Sequence, residues 1–218
     1  MTATATALEL GGQAALLLQP PRARWLYLFG HGAGAGIEHP FMESMAQRLA
    51  AREIATLRWE LTYMTQRRRR PDPATTCERE ARAVAVDAAA RFGELRIVAG
   101  GKSMGGRMTS QAHAAEPLPR VEALAFLGFP LHPAGQPAIT RAAHLAKIAE
   151  PLLLVQGSRD KLAEPTLLAQ VISQLPRATL RVIEDADHGL DVPKTRMREH
   201  PHEIAAGALA DWLARLDT

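Results

Sequence analysis

The chain has 218 residues, 47% of them hydrophobic and 22% charged, which is enough to bury one α/β core, and no shift in composition divides residues 1–218 into two domains. The formal charge of +3 is gathered largely in Arg67-Arg68-Arg69-Arg70 ahead of Pro71-Asp72-Pro73, unlike the spread basic face and stacking aromatics of a nucleic-acid binder, so no nucleic-acid partner is expected. No stretch approaches the roughly 20 apolar residues of a membrane span, Met1–Leu10 lacks the basic and apolar regions of a signal peptide, and the single Cys77 excludes an intramolecular disulfide, all of which point away from membranes and toward a reducing cytoplasm.

In chain order, Leu8–Leu10 and Ala14–Leu18, joined through Gly11-Gly12, read as an antiparallel hairpin at a sheet edge. Apolar runs at Trp25–Phe29, Ile54–Trp59, Arg96–Ala99, Val121–Leu127, Leu152–Gln156 and Thr179–Ile183 read as further strands. Between and after them, helices are predicted over Pro40–Arg52, Thr76–Phe92, Met104–Ala115, Pro165–Leu175 and Thr195–Leu216. Pro40 and Pro165 suit first-turn positions, where a missing N–H costs nothing. In Thr76–Phe92 the apolar positions Ala81, Val84, Ala85, Ala88 and Phe92 recur at intervals of three and four, giving one face for the sheet, and Cys77 falls in the polar start of this helix, away from any strand end. The alternation implies a mostly parallel sheet of about eight strands with helices on both faces. Only 130–150 separates two of the strands, room for one helix around 140–149 and for no sizeable lid, so the mouth of any site should be open.

Ligands in open α/β sheets bind outside the carboxyl ends of the strands. After the strand ending at Ala99 comes Gly101-Lys102-Ser103-Met104-Gly105, a G-x-S-x-G pattern between strand and helix, the setting of a nucleophile elbow. Crowding between the positions two before and two after the serine would account for glycine at both. Asp160 follows the next-to-last strand within Gln156-Gly157-Ser158-Arg159-Asp160, and His188 follows the last within Glu184-Asp185-Ala186-Asp187-His188-Gly189. Ser, Asp and His in that order are the arrangement associated with α/β-hydrolases. A serine hydroxyl becomes a nucleophile when a neutral imidazole accepts its proton, and a carboxylate on the other ring nitrogen holds the tautomer. Ser103 is therefore the candidate nucleophile, His188 the base and Asp160 the orienting acid, with Asp185 and Asp187, on the histidine's own loop, as rivals for that last role.

Backbone N–H groups of Met104 and of Ala33, in the run His31-Gly32-Ala33-Gly34-Ala35-Gly36, are the candidate oxyanion hole. That glycine run meets neither the dinucleotide nor the phosphate-loop spacing, and Gly101-Lys102-Ser103 lacks the first glycine a phosphate loop needs, so no nucleotide cofactor is implied. His31, Tyr63, Met64 and His132 follow strand ends and are candidate pocket residues, with a loop-stabilising role the preferred reading of His132, Tyr63 and Met64. His200 and His202 flank Pro201 outside helical i, i+4 spacing, and no metal site is expected. A solvated loop is the preferred reading of Arg67–Arg70, a contact for anionic substrates the alternative.

His31-Gly32-Ala33-Gly34, Gly101-Lys102-Ser103-Met104-Gly105-Gly106-Arg107, Phe129-Pro130-Leu131-His132-Pro133 and Gln156-Gly157-Ser158-Arg159-Asp160 together resemble a group of small lidless α/β-hydrolases akin to dienelactone hydrolases. Its eukaryotic relatives include a testis-expressed hydrolase-like protein and a hydrolase-like subunit of a chromatin complex. The resemblance spans residues 25–215 and takes in the segment from Tyr63-Met64 through the arginines. It implies an α/β-hydrolase fold, a hydrolase mechanism and Ser103, Asp160 and His188 as the triad, but no particular substrate; no metal or organic cofactor is expected. Dienelactone hydrolases are often described with a cysteine nucleophile, and Ser103 departs from that. A serine hydrolase acting through an acyl-enzyme on a small carboxylic ester or related acyl substrate is the leading expectation. The alternative is a non-catalytic interaction module on the same fold, because function lives in the site and not in the fold.

Overall fold

The computed structural model describes residues 4–217; positions 1–3, the start of the segment searched for a signal peptide, and 218 lie outside the described residues. The elements are β1 (Thr6–Leu10), β2 (Gln13–Leu18), β3 (Trp25–Gly30), α1 (Pro40–Ala50), β4 (Ile54–Trp59), α2 (Thr62–Thr65), α3 (Ala74–Arg91), β5 (Arg96–Lys102), α4 (Met104–Ala115), β6 (Val121–Leu127), a 3₁₀ helix (Thr140–Lys147), β7 (Leu152–Gly157), α5 (Pro165–Ser173), β8 (Ala178–Ile183) and α6 (Pro201–Leu216). They build an eight-stranded sheet in the order β1-β2-β4-β3-β5-β6-β7-β8. The β1–β2 hairpin joins antiparallel to β4, and every other neighbour pair is parallel.

Side chains alternate between faces along each strand, and the two faces carry separate cores. Leu26 and Leu28 of β3 and Leu152 and Leu154 of β7 face a core shared with α3, α4 and α5. Trp25, Tyr27 and Phe29, with Leu153 and Val155, face the opposite core under α1 and α6. In α3 the expected stripe Ala81, Val84, Ala85 and Ala88 is buried; Phe92 lies just past the helix end and packs against the same core. No helix is long and apolar enough to cross a membrane among the described residues, and no insertion of lid size covers the strand ends.

Beyond shifts of one or two residues at element ends, four features differ from the sequence expectation. The last helix begins at Pro201 and not at residue 195: proline disfavours helical geometry in the residue before it, His200 stays extended at φ −65°, ψ 123°, and its ring accepts from the His202 N–H. The helix expected around 140–149 is a 3₁₀ helix. Thr62–Thr65 form one helical turn that the periodicity does not reveal, four residues being too few for a pattern. The strand expected to end at Ala99 continues through Gly100 and Gly101 to Lys102, paired by β3 as far as Gly101 and by β6 as far as Lys102.

Candidate active site

Ser103 stands between the end of β5 and the start of α4 with φ 50° and ψ −112°, left-handed backbone that side chains disfavour. Its N–H is tied to the Leu127 carbonyl at 3.1 Å. The nearest obstacle to a side chain at either flanking glycine is β3: a Cβ on Gly101 would lie 2.3 Å from the Gly30 oxygen, and one on Gly105 would lie 2.4 Å from the Gly30 carbonyl carbon. Strand β3 passes so close beneath the turn that neither position accepts a side chain.

The Ser103 Oγ lies 2.8 Å from His188 Nε2, and His188 Nδ1 lies 2.7 Å from Asp160 Oδ2. An ionised carboxylate only accepts, so Nδ1 carries the ring proton and Nε2 presents its lone pair to the serine hydroxyl. Asp160 is buried, and its other contacts come from the Leu162 N–H at 2.8 Å and the Gln156 side-chain amide at 2.5 Å. Gln156 in turn accepts from the Phe129 N–H at 2.9 Å, which fixes which end of its amide faces the acid. Gln156 sits in the quoted motif, but the sequence carries no signal for this role. The rivals are engaged elsewhere: Asp185 pairs with Arg196 at 2.6 Å, and Asp187 Oδ1 accepts from the Gly189 and Asp191 N–H groups at 2.7 and 3.1 Å. Ser158 Oγ accepts from the Asp185 N–H at 2.8 Å.

The loop after β3 is set by His31. The Leu61 N–H donates to its Nε2 at 3.1 Å, so the proton is on Nδ1, which donates to the Gly32 carbonyl at 2.7 Å. Burial pushes His31 below the usual histidine range, consistent with this neutral form. The Ala35 N–H adds a second bond to the same carbonyl at 3.1 Å. In a trans peptide the carbonyl and the following N–H point in opposite directions, so anchoring the Gly32 oxygen turns the Ala33 N–H the other way. Met104, the first residue of α4, has an N–H with no acceptor within its helix. Two N–H groups so disposed can receive a developing oxyanion.

A cleft of about 680 Å³ runs beside these groups, with Ala33, Phe41, Met42, Ser103, Leu162 and His188 among its walls. Of the expected pocket residues, none lines it. His31 is buried behind the loop, and Tyr63 is buried with its hydroxyl accepting from the Gly34 N–H at 2.8 Å. Met64 is half-buried and packs against the core. His132 is buried, Nδ1 2.8 Å from the Pro133 oxygen and Nε2 hydrogen-bonded to the Glu164 carboxylate. The Leu131 and His132 N–H groups both reach the Leu162 carbonyl, at 2.8 and 3.3 Å, so Phe129–Pro133 braces the loop that carries Asp160. These placements correct the pocket expectation: His31, Tyr63 and His132 are turned inward to hydrogen-bond loop groups, and Met64 packs on the core.

Cys77 is buried, and burial pushes its thiol up to about 11, leaving it protonated at neutral pH. Arg67–Arg70 are exposed and outside the cleft walls, and Arg68 forks onto Asp72 at 2.6 and 2.7 Å. No cluster of three metal-ligating side chains occurs among the described residues.

A family model described as an alpha/beta hydrolase domain matches residues 23–213. Among solved structures, a dienelactone hydrolase from Anabaena variabilis superposes with a TM-score of 0.76 at 20% identity, over 98% of this chain and 97% of that one. A serine hydrolase without a lid from Xanthomonas campestris gives 0.75 at 19% identity, over 98% and 95%. The esterase domain of a Rhodothermus marinus protein gives 0.71 at 16%, over 99% of each chain. At these identities the likeness is one of fold. A search of the curated proteins returns no match.

Proposed function

The chain belongs to the alpha/beta hydrolase domain family, and on that premise we propose that it is a serine hydrolase forming an acyl-enzyme on Ser103 with a small carboxylic ester or related acyl compound. The observation that carries this reading is the unbroken line from Ser103 Oγ through His188 to Asp160, at 2.8 and 2.7 Å. As Oγ attacks the acyl carbon, His188 Nε2 takes its proton, and the buried Asp160 carboxylate stabilises the imidazolium. The carbonyl oxygen becomes an oxyanion, accepted by the N–H groups of Ala33 and Met104, each donor being worth roughly 3–4 kcal/mol in such sites. His188 then protonates the leaving alcohol. Water, deprotonated by the same nitrogen, attacks the acyl-enzyme, and the acid departs with Ser103 restored. No step calls for a cofactor. Backbone strain at Ser103, which a silent interaction module has no use for, favours chemistry over the alternative.

A fluorophosphonate probe followed by peptide mapping tests the assignment. A single adduct on Ser103, absent in Ser103→Ala while the fold persists, is expected. An adduct at Ser158, or no adduct on folded protein, overturns it.

A further inference from the structure

The cleft holds a cation that this mechanism leaves idle. Lys102 is 8% exposed and lines the cleft next to Ser103. Its ammonium has three protons to donate, and one goes to the His188 carbonyl at 2.5 Å. Nζ also lies 5.6 Å from the centre of the Phe41 ring. Among the described residues no carboxylate is within ion-pair distance of it. Burial pushes Lys102 down to about 8, with Asp160, Asp187 and Asp191 opposing from a distance, so the group is still charged at neutral pH.

A second donor lines the same cleft. His202 is 8% exposed, and its Nδ1 lies 2.8 Å from Ser44 Oγ. Arg48 donates to that oxygen at 2.7 Å, which leaves the serine's own proton for Nδ1 and puts the ring proton on Nε2. Nε2 is buried and has no partner. The N-termini of α1 and α6, 11 and 16 residues long, meet the cleft at His39-Pro40 and His200 and add partial positive charge.

We propose that Lys102 and His202 form a carboxylate-binding subsite, so that the preferred acyl substrates carry a carboxylate on the chain beside the scissile carbonyl. The inference rests on the serine-hydrolase reading of Ser103. A buried ammonium short of acceptors and a buried orphan N–H are each unfavourable until an anionic oxygen meets them. Asp191, the one acid among the cleft walls, disfavours a second negative charge, and so selects a carboxylate over a phosphate dianion.

The test compares mono-4-nitrophenyl adipate with its methyl-capped neutral diester, each corrected for uncatalysed hydrolysis. A charge-assisted contact predicts a kcat/KM ratio, charged over neutral, of about 10 to 100. In Lys102→Met the ratio falls toward one, and because it is taken within each protein, damage common to both esters through a disturbed His188 cancels. His202→Leu lowers it by a smaller factor. Arg69→Ala/Arg70→Ala, outside the cleft, keeps it. A wild-type ratio at or below one, or an unchanged ratio in Lys102→Met, overturns the subsite while turnover of the neutral ester leaves the hydrolase standing. Calorimetry of monomethyl adipate on Ser103→Ala needs no turnover: binding at least tenfold weaker once Lys102→Met is added is expected, and equal binding refutes the subsite. Absence of both turnover and Ser103 labelling, with that calorimetric difference intact, would remove the hydrolase reading alone.

Discussion

Ser103 keeps its strained φ of 50° because its surroundings leave it no relaxed alternative. Its N–H is pinned to Leu127 and its carbonyl accepts from Arg107 as the first turn of α4 closes. The strain, of order 1–3 kcal/mol, lifts Oγ to the face where His188 waits. His188 depends on Asp160, and here the competing carboxylates decide a prediction. Asp160→Asn replaces an acceptor of the Nδ1 proton with an amide and should lower kcat by roughly 10³- to 10⁴-fold. Asp185→Asn gives up an exposed pair with Arg196 and should leave kcat within about twofold. Steady-state kinetics on a neutral ester separates them, and the reverse ranking would move the acid role to Asp185. His31 and His132 act by holding loops, since each has its two ring nitrogens committed to partners in the loops they brace.

Among the elements, the approach of β3 to the β5–α4 turn is the tightest constraint on the site. Gly105→Ala would drive a methyl group into the Gly30 carbonyl, so α4 must lift off the sheet and carry Ser103 with it. Overpacking against backbone predicts a loss of about 1–3 kcal/mol or more. Gly207→Ala in α6 meets nothing nearer than an Arg52 nitrogen at 3.9 Å and should gain roughly 0.5–1 kcal/mol from helix propensity. Thermal denaturation of the two variants should therefore shift in opposite directions, and a Gly105→Ala protein as stable as the parent would contradict the packing described. The loop bearing Asp160 is held in a comparable way, by backbone bonds from Leu131 and His132 to Leu162 and from Arg159 to Ala186.

For the whole molecule, the half-buried His144 and the buried His202 set the response to acid. Burial, more than the nearby cations, lowers His144 and His202 to about 4 each. Their unfolded values are near 6.5, so between those limits the unfolded chain binds more protons than the folded one. The stabilisation is complete above about pH 6.5 and is lost as pH falls toward 4. Melting temperature should decline across this window, and the decline should flatten in His144→Gln/His202→Gln, whose amides do not titrate. A melting temperature level from pH 6.5 to 4 in the parent would rule the histidines out as its cause. The cleft itself is open, because the chain between β6 and β7 is spent on the Phe129–Pro133 brace and a 3₁₀ helix and builds no lid.

Apolar runs and helical spacing were enough to read the sheet and both helical layers, because they report directly which face of an element is covered, and the shortness of the 130–150 connection was enough to leave no room for a lid. The order of Ser103, Asp160 and His188 at successive strand ends was legible for a related reason: parallel strands bring their carboxyl ends to one edge, where these side chains meet at 2.8 and 2.7 Å. Lys102 was legible only as the free position of a motif, and His202 only as a histidine beside a proline. What each faces depends on residues 86 and 158 positions away in the chain. The same is true of His31, whose partner at Leu61 is 30 positions distant, and of the glycine pair, which the backbone of β3 requires. A side chain's hydrogen-bond partners are chosen by three-dimensional proximity, and local pattern carries no record of them; that is why the tertiary structure alone turned the expected pocket residues inward and brought an unclaimed charge to the cleft.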